Sequence, residues 1–356
     1  MTRTGTITSR RGFLKNSFVG GLAAAGGLRF SGLATAAEDV PGKSPSRVAL
    51  TAGNDRADNV FQGLKVFERE IARAIGDRRV VIKPNNVAIA IQLSATHADC
   101  LEGILEFLKA IGKSGQAVIA ESAANGPTLE GFANYGYPRL AAKYGVKVVD
   151  LDQEPCEVVH VFDERDFRPH PVRMSRLLLD RNSFVLSAAK LKTHDLVVTT
   201  LSLKNIVLGA PVKDLDTGKR GKARVESNKR TVHGGGFRGI NYNLFALAQH
   251  LHPHLAVIDG YDGMEGHGPT RGTPVEHRVC VVGTDWLAAD RVAVELMGID
   301  FAKVGYLNYC ADAGLGEGDL KKIEIVGEPI ARHVKSYKLA NNIEQQLMWM
   351  KPPGES

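Results

Sequence analysis

Cysteine is scarce in this chain, and where it occurs it stands alone. Cys100, Cys156, Cys280 and Cys310 are far apart, and none belongs to a C-x-x-C pair. That spacing excludes a local zinc ribbon and a ferredoxin-type cluster run. Cys100 and Cys280 lie in apolar stretches and read as small buried residues. The sequence also lacks G-x-S-x-G, a Walker loop, H-E-x-x-H and a strand-bound G-x-G-x-x-G, which removes several common enzyme classes. It has no internal repeat, no low-complexity segment and no heptad run.

A surplus of charge is missing too, once the first 36 residues are set aside. The chain carries 45 Lys and Arg against 39 Asp and Glu. Five of the basic residues, Arg3, Arg10, Arg11, Lys15 and Arg29, fall in that first stretch, which has no acid. The remainder is close to neutral, so nothing global points to nucleic acid or a membrane surface. The stretch itself reads as a targeting signal. Ser9-Arg10-Arg11-Gly12-Phe13-Leu14-Lys15 is a twin-arginine signature, 18–28 is an apolar, small-residue run, and Ala34-Thr35-Ala36 supplies an A-x-A cleavage site. The run is short of the ~20 residues a membrane span needs, and glycines interrupt it. Residues 1–36 are therefore expected to be a twin-arginine signal peptide, followed by a linker over 37–45. The twin-arginine translocation machinery is then a partner, and the destination is periplasmic or otherwise extracytoplasmic. Proteins on this route fold before they cross. That favours a metal ion or an organic cofactor inserted before export, or travel with an exported redox partner.

The rest of the chain alternates strand and helix patterns. Short apolar runs at 48–50, 79–82, 117–120, 146–150, 184–188, 255–258, 278–282 and 322–326 have strand length. Between them apolar residues recur at helical spacing, as in Val60, Leu64, Phe67, Ile71 and Ile75, or Leu101, Ile104, Leu105 and Leu108. This predicts an α/β fold: mainly parallel sheets with flanking helices. The pattern loosens after 157 and resumes at 184. Two lobes are expected around a cleft, 46–175 and 176–330, with a C-terminal helix and tail over 331–356. Residues 211–238 are rich in Lys, Arg and Gly without an apolar period, as expected of a mobile basic loop.

Polar residues cluster where the strands end. Pro84 stops regular structure, leaving Lys83, Asn85 and Asn86 on a loop at a strand's carboxyl end. Glu121-Ser122 close the next strand. The stretch 183–205 is the densest: Phe184-Val185-Leu186 leads to Lys190, Lys192 and His194, then to Thr199, Thr200, Ser202, Lys204 and Asn205. In open α/β sheets, ligands sit at such carboxyl ends. Two close lysines repel unless an anion lies between them. His194 is the acid/base candidate, since an unperturbed pKa of ~6.5 serves either direction, and nearby lysines favour the neutral base. Lys192 and Lys190 join it as catalytic candidates, to hold negative charge or to act as a nucleophilic amine. Lys83, Asn85, Lys204, Asn205 and His233 are candidates to bind substrate. The glycine-rich run 259–270 offers Asp259, Glu265 and His267 as ligands to a hard or borderline metal, with a capped turn as the alternative.

Several motifs occur in order: Ile82-Lys83-Pro84-Asn85; Lys190-Leu191-Lys192-Thr193-His194; Thr200-Leu201-Ser202-Leu203-Lys204-Asn205; Asp259-Gly260 with Gly263-Met264-Glu265-Gly266-His267-Gly268-Pro269; and Gly283-Thr284-Asp285 with Asp290. Together, over residues 46–330, they closely resemble the bacterial and archaeal family called domain of unknown function 362. The resemblance implies no established reaction. Some members carry a fused ferredoxin segment, for which this chain has no cysteine run. A more distant similarity is to the nickel-dependent lactate racemase group, two-domain α/β proteins with Lys and His around a cofactor; no site residue carries over from it. The expectation is an enzyme acting on a small anionic substrate in a cleft lined by Lys, His and Asp. The alternative is a non-catalytic ligand binder or an accessory protein of a redox enzyme.

Overall fold

A computed structural model describes residues 45–213 and 227–352. The twin-arginine signature, its cleavage site and the linker up to 44 lie outside the described residues, as do 214–226 of the expected basic loop and the last residues of the tail. The strands in chain order are β1 (Ser46–Ala52), β2 (Arg79–Pro84), β3 (Ala117–Glu121), β4 (Lys147–Asp150), β5 (Cys156–Asp163), β6 (Arg168–Ser175), β7 (Ser183–His194), β8 (Val198–Thr199), β9 (Leu255–His267), β10 (Arg271–Gly283) and β11 (Ile323–Gly327). All but β5 and β6 belong to one sheet, ordered β11-β1-β10-β9-β7-β2-β3-β4 with β8 on β7. From β9 to β4 the strands are parallel. Parallel neighbours need long crossovers. Here the helix Ala98–Ala110 lies between β2 and β3, and helices Thr128–Asn134 and Tyr137–Tyr144 lie between β3 and β4.

The sheet is covered on both faces, as parallel sheets require. Alternation along β7 sends Phe184, Leu186 and Ala188 into one core layer with Val80, Ile82 and Leu101. It sends Val185, Ala189 and Leu191 into the other, with Leu203, Ile206 and Val292. Every residue of β7 is buried.

Three features differ from the sequence expectation. First, β7 pairs directly with β2, with Ile82 opposite Leu186, so the halves expected as two lobes share one sheet. Second, the glycine-rich run 259–267 is strand, not turn. Its backbone groups are taken up by β10, Met264 opposite Pro274 and Gly266 opposite Gly272. Third, regular helix in the C-terminal segment is confined to Ile343–Gln346, with a tight turn at Leu347–Met350. The preceding stretch is held extended by Lys335 N–H donating to Leu296 O and Tyr337 N–H to Met297 O, both at 2.9 Å.

Candidate functional site

The chain lays β2, β3 and β4 outward in one direction and then returns to place β7 and β9 on the other side of β2. The β2–β7 boundary is thus the point where the strand order reverses. There the loops leaving adjacent carboxyl ends part and open a crevice. A cavity of about 740 Å³ lies at these ends, and Lys83, Asn85, Glu121, His194, Lys204 and Asn205 help to line it. Its volume suits a metabolite-sized ligand.

The floor is a connected polar network. Lys83 Nζ is 2.8 Å from Glu121 Oε2, and it donates to Asn205 Oδ1 at 3.1 Å and Pro84 O at 2.9 Å. Burial pulls the Lys83 amine down and pushes the Glu121 carboxyl up, and their mutual attraction opposes both shifts. Glu121 also accepts the Asn86 and Ser122 backbone N–H groups, at 3.0 and 2.8 Å. Asn205 is saturated: its Nδ2 donates to Lys83 O and Ser187 Oγ, and its Oδ1 also accepts from Asn85 Nδ2 at 3.0 Å. Gly209 permits this packing, since a Cβ there would lie 2.0 Å from Lys83 Cε. Removing one partner of a buried pair leaves an uncompensated charge, so the network fixes the floor more than it stabilises the fold.

Lys192 sits beneath this floor with no exposed surface. Its Nζ donates to Asn85 Oδ1 and, at 3.0 Å, to Ser94 O. Burial drives its pKa well below the usual lysine value, and the charges of Lys204 and Lys190 push the same way. Lys190 has a different partner set despite the spacing of two, because the ladder shifts register between the two lysines. Its Nζ donates to Asp262 O at 2.8 Å and lies 3.5 Å from Asp259 Oδ2. The expected repulsion between the two is thus eased by an aspartate at one and by a lowered pKa at the other.

The wall is built by the short helix Leu201–Val207. Its first turn is capped from outside by Asp290, which accepts Ser202 N–H at 2.8 Å and Leu203 N–H at 3.0 Å. Thr200, Lys204 and Leu208 follow one another four residues apart, share one face and line the cavity. Lys204 is 4 % exposed, and its Nζ meets no hydrogen-bond partner or carboxylate within 4 Å among the described residues. Burial lowers its pKa to about 7, with Asp195 pulling upward. Opposite, His194 Nδ1 accepts the Leu196 N–H at 3.0 Å, which places the ring proton on Nε2. Burial, then Lys204, His233 and Lys192, hold His194 well below the usual histidine value. It is a neutral hydrogen-bond donor in this geometry, where the sequence suggested a neutral base. His233 also lines the cavity, and burial lowers it to about 4.

Lys213, Lys229 and Arg230, on the flanks of the expected mobile basic loop, also line the cavity. Lys213 pairs with Asp152 at 3.3 Å. Lys229 donates to Gly209 O and Pro211 O, and burial takes it to about 7. Several buried polar atoms of residues that line this space have no partner: both amide atoms of Asn86, Thr200 Oγ1 and Ser227 Oγ. Buried polar groups are rarely left unpaired, and a cluster of them around a cavity marks where a ligand or water completes the bonding.

Asp259, Glu265 and His267 are not brought together with this set. Asp259 lies in β9 between Lys190 and Arg56, 3.4 Å from Arg56 Nε. Burial pushes its carboxyl up, but those two cations outweigh it and hold it below the usual range. Glu265 accepts the Lys338 N–H at 2.9 Å. Among the described residues no group of three or more His, Cys, Asp or Glu is placed to hold a metal ion.

Fold and site together define an α/β protein with a cation-rich cavity at the switch point of a mostly parallel sheet. The chain belongs to the family described as domain of unknown function (DUF362), whose model matches residues 80–295. That span runs from β2 into the helix Trp286–Leu296 and contains Lys83, Glu121, His194, Lys204 and the capping Asp290. Comparison with curated proteins and with solved structures gives no match.

Proposed function

We propose that the cavity binds a small anion, a carboxylate or a phosphate, and that the protein is an enzyme acting on it through acid–base chemistry. Lys204 carries this reading. A buried cation without a partner is costly, and an anion in the cavity supplies the missing partner. His194 Nε2–H offers an uncharged donor beside it. Lys83, held by Glu121, and Asn205, held by Lys83 and Ser187, keep the floor in place. Lys204 and Lys229 both titrate at about 7. Groups poised near neutrality can give or take a proton during turnover, which favours an enzyme over a passive binder.

Calorimetric titration with inorganic phosphate and with oxalate tests this. A bound anion favours the ammonium form of Lys204. Affinity for oxalate, a dianion throughout this range, should therefore be flat between about pH 5 and pH 7 and fall above it by up to about tenfold per pH unit. Lys204→Met should lose at least about tenfold in affinity. Equal binding by wild type and Lys204→Met, or binding by neither, contradicts the proposal.

A further inference from the structure

The same lysine that would attract an anion has the features of a nucleophilic amine. Lys204 Nζ faces the cavity with no hydrogen bond to hold its lone pair, while the neighbouring Lys192 is tied to Asn85 and Ser94 and does not line the cavity. Around Lys204 stand His194, its Nε2–H turned away from the Nδ1 contact, and Thr200 one helical turn earlier. Arg230, exposed at the mouth, also lines an adjoining recess of about 310 Å³ together with His233 and Phe237. The cavity thus offers an uncharged donor for a carbonyl oxygen, an amine beside it, and a guanidinium farther out for an anionic group.

We propose that the substrate is an anionic carbonyl compound, such as a 2-oxo acid, and that Lys204 captures it as an imine. This deepens the anion-binding reading and rests on it. The Lys204 nitrogen lone pair forms a bond to the carbonyl carbon, and the C=O pair moves onto oxygen, toward the His194 Nε2–H. The resulting carbinolamine then loses that oxygen with the two protons of the amine nitrogen, as one water. A C=N bond has replaced the C=O bond, and no oxidant or reductant is consumed. Protonated, the imine keeps a positive charge where the ammonium had it, so the anionic group of the substrate retains its partner. A neutral imidazole N–H that polarises a carbonyl is a known way to activate one without a full proton transfer.

Glyoxylate, an anionic aldehyde, with sodium cyanoborohydride is the probe. At pH 7 an ordinary lysine is almost wholly protonated, whereas Lys204 at about 7 is half free amine. Burial sets this value, with Asp195 the charge that opposes it, and Lys204 in turn bears on the titratable groups His194, His233 and Lys192 that face it. Peptide mapping should find Lys204 modified at least about tenfold faster than the exposed lysines, even allowing for its restricted access. The preference should vanish at pH 10, and no adduct should map to position 204 in Lys204→Arg. Labelling spread over surface lysines with Lys204 untouched overturns the inference. In that case phosphate binding by calorimetry leaves the anion reading intact. Labelling of Lys204 without binding of phosphate or oxalate retires the anion reading, and with it the anionic substrate, and leaves only a reactive amine.

Discussion

A lysine deep in a protein with no carboxylate beside it is driven to give up its proton or to be surrounded by dipoles, and both pressures act on Lys192. Its amine is held by an amide oxygen and a carbonyl, and burial lowers its pKa. Lys192→Ala should therefore cost about 2–4 kcal/mol, since it empties a core volume and orphans two acceptors. Lys192→Met fills the volume and should cost about 1–2 kcal/mol. The pH dependence has a definite sign. The unfolded chain binds a proton that the native amine does not, so the wild type gains stability as pH rises from the native pKa toward ~10.4. Urea unfolding at pH 7 and pH 9 should show wild type gaining on Lys192→Met at the higher pH; a constant gap would mean the buried amine keeps its charge. From the sequence, Lys190 and Lys192 read as strand-end charges near solvent or a ligand. Their burial depends on Ser94, Asn85, Asp259 and Asp262, residues far away in the chain, and no local pattern reports such partners. His194 was partly legible: nearby lysines do lower its pKa, but the tautomer is set by the Leu196 N–H, which only the turn after β7 reveals.

The helix Leu201–Val207 is too short to be stable through its own hydrogen bonds. It persists because every residue in it is buried and because Asp290 takes two of its unpaired N–H groups. Asp290→Ala should cost about 1–3 kcal/mol, the range for losing a cap and stranding buried donors. It should also weaken phosphate binding, although Asp290 does not line the cavity, because Thr200 and Lys204 ride on the helix it anchors. Thermal melts run beside calorimetry check this; a large loss of stability with unchanged affinity would mean Lys204 is positioned by something other than this helix. Elements with strong local periods, β2, β3, β7 and the helix Ala98–Ala110, were visible in the sequence. The 259–267 strand was not, because its glycines suggest a turn and only pairing with β10 makes it a strand. The C-terminal segment failed for a similar reason. A helix was expected there, but the Lys335 and Tyr337 N–H groups are taken by the Leu296 and Met297 carbonyls.

At the scale of the molecule, one sheet gathers the site. The carboxyl ends of β2, β3 and β7 lie side by side, so Lys83, Glu121 and His194 meet although 38 and 73 positions separate consecutive members in the sequence. That convergence followed from strand–helix alternation alone. Asp259 does not join them because β9 continues beyond it into a long hairpin with β10, and its carboxylate is consumed inside the sheet by Lys190 and Arg56. The cationic residues Lys213, Lys229 and Arg230 come from the flanks of the stretch whose composition suggested a mobile basic loop. The central claim is that this convergence leaves one amine, Lys204, waiting for an anion. The most direct test is the titration of the Lys204 side chain by NMR in lysine-labelled protein, assigned with Lys204→Arg, without and with inorganic phosphate. The account predicts a midpoint near 7 in the empty protein, rising when phosphate is added. A midpoint near that of an ordinary lysine, or one that phosphate does not move, would contradict it.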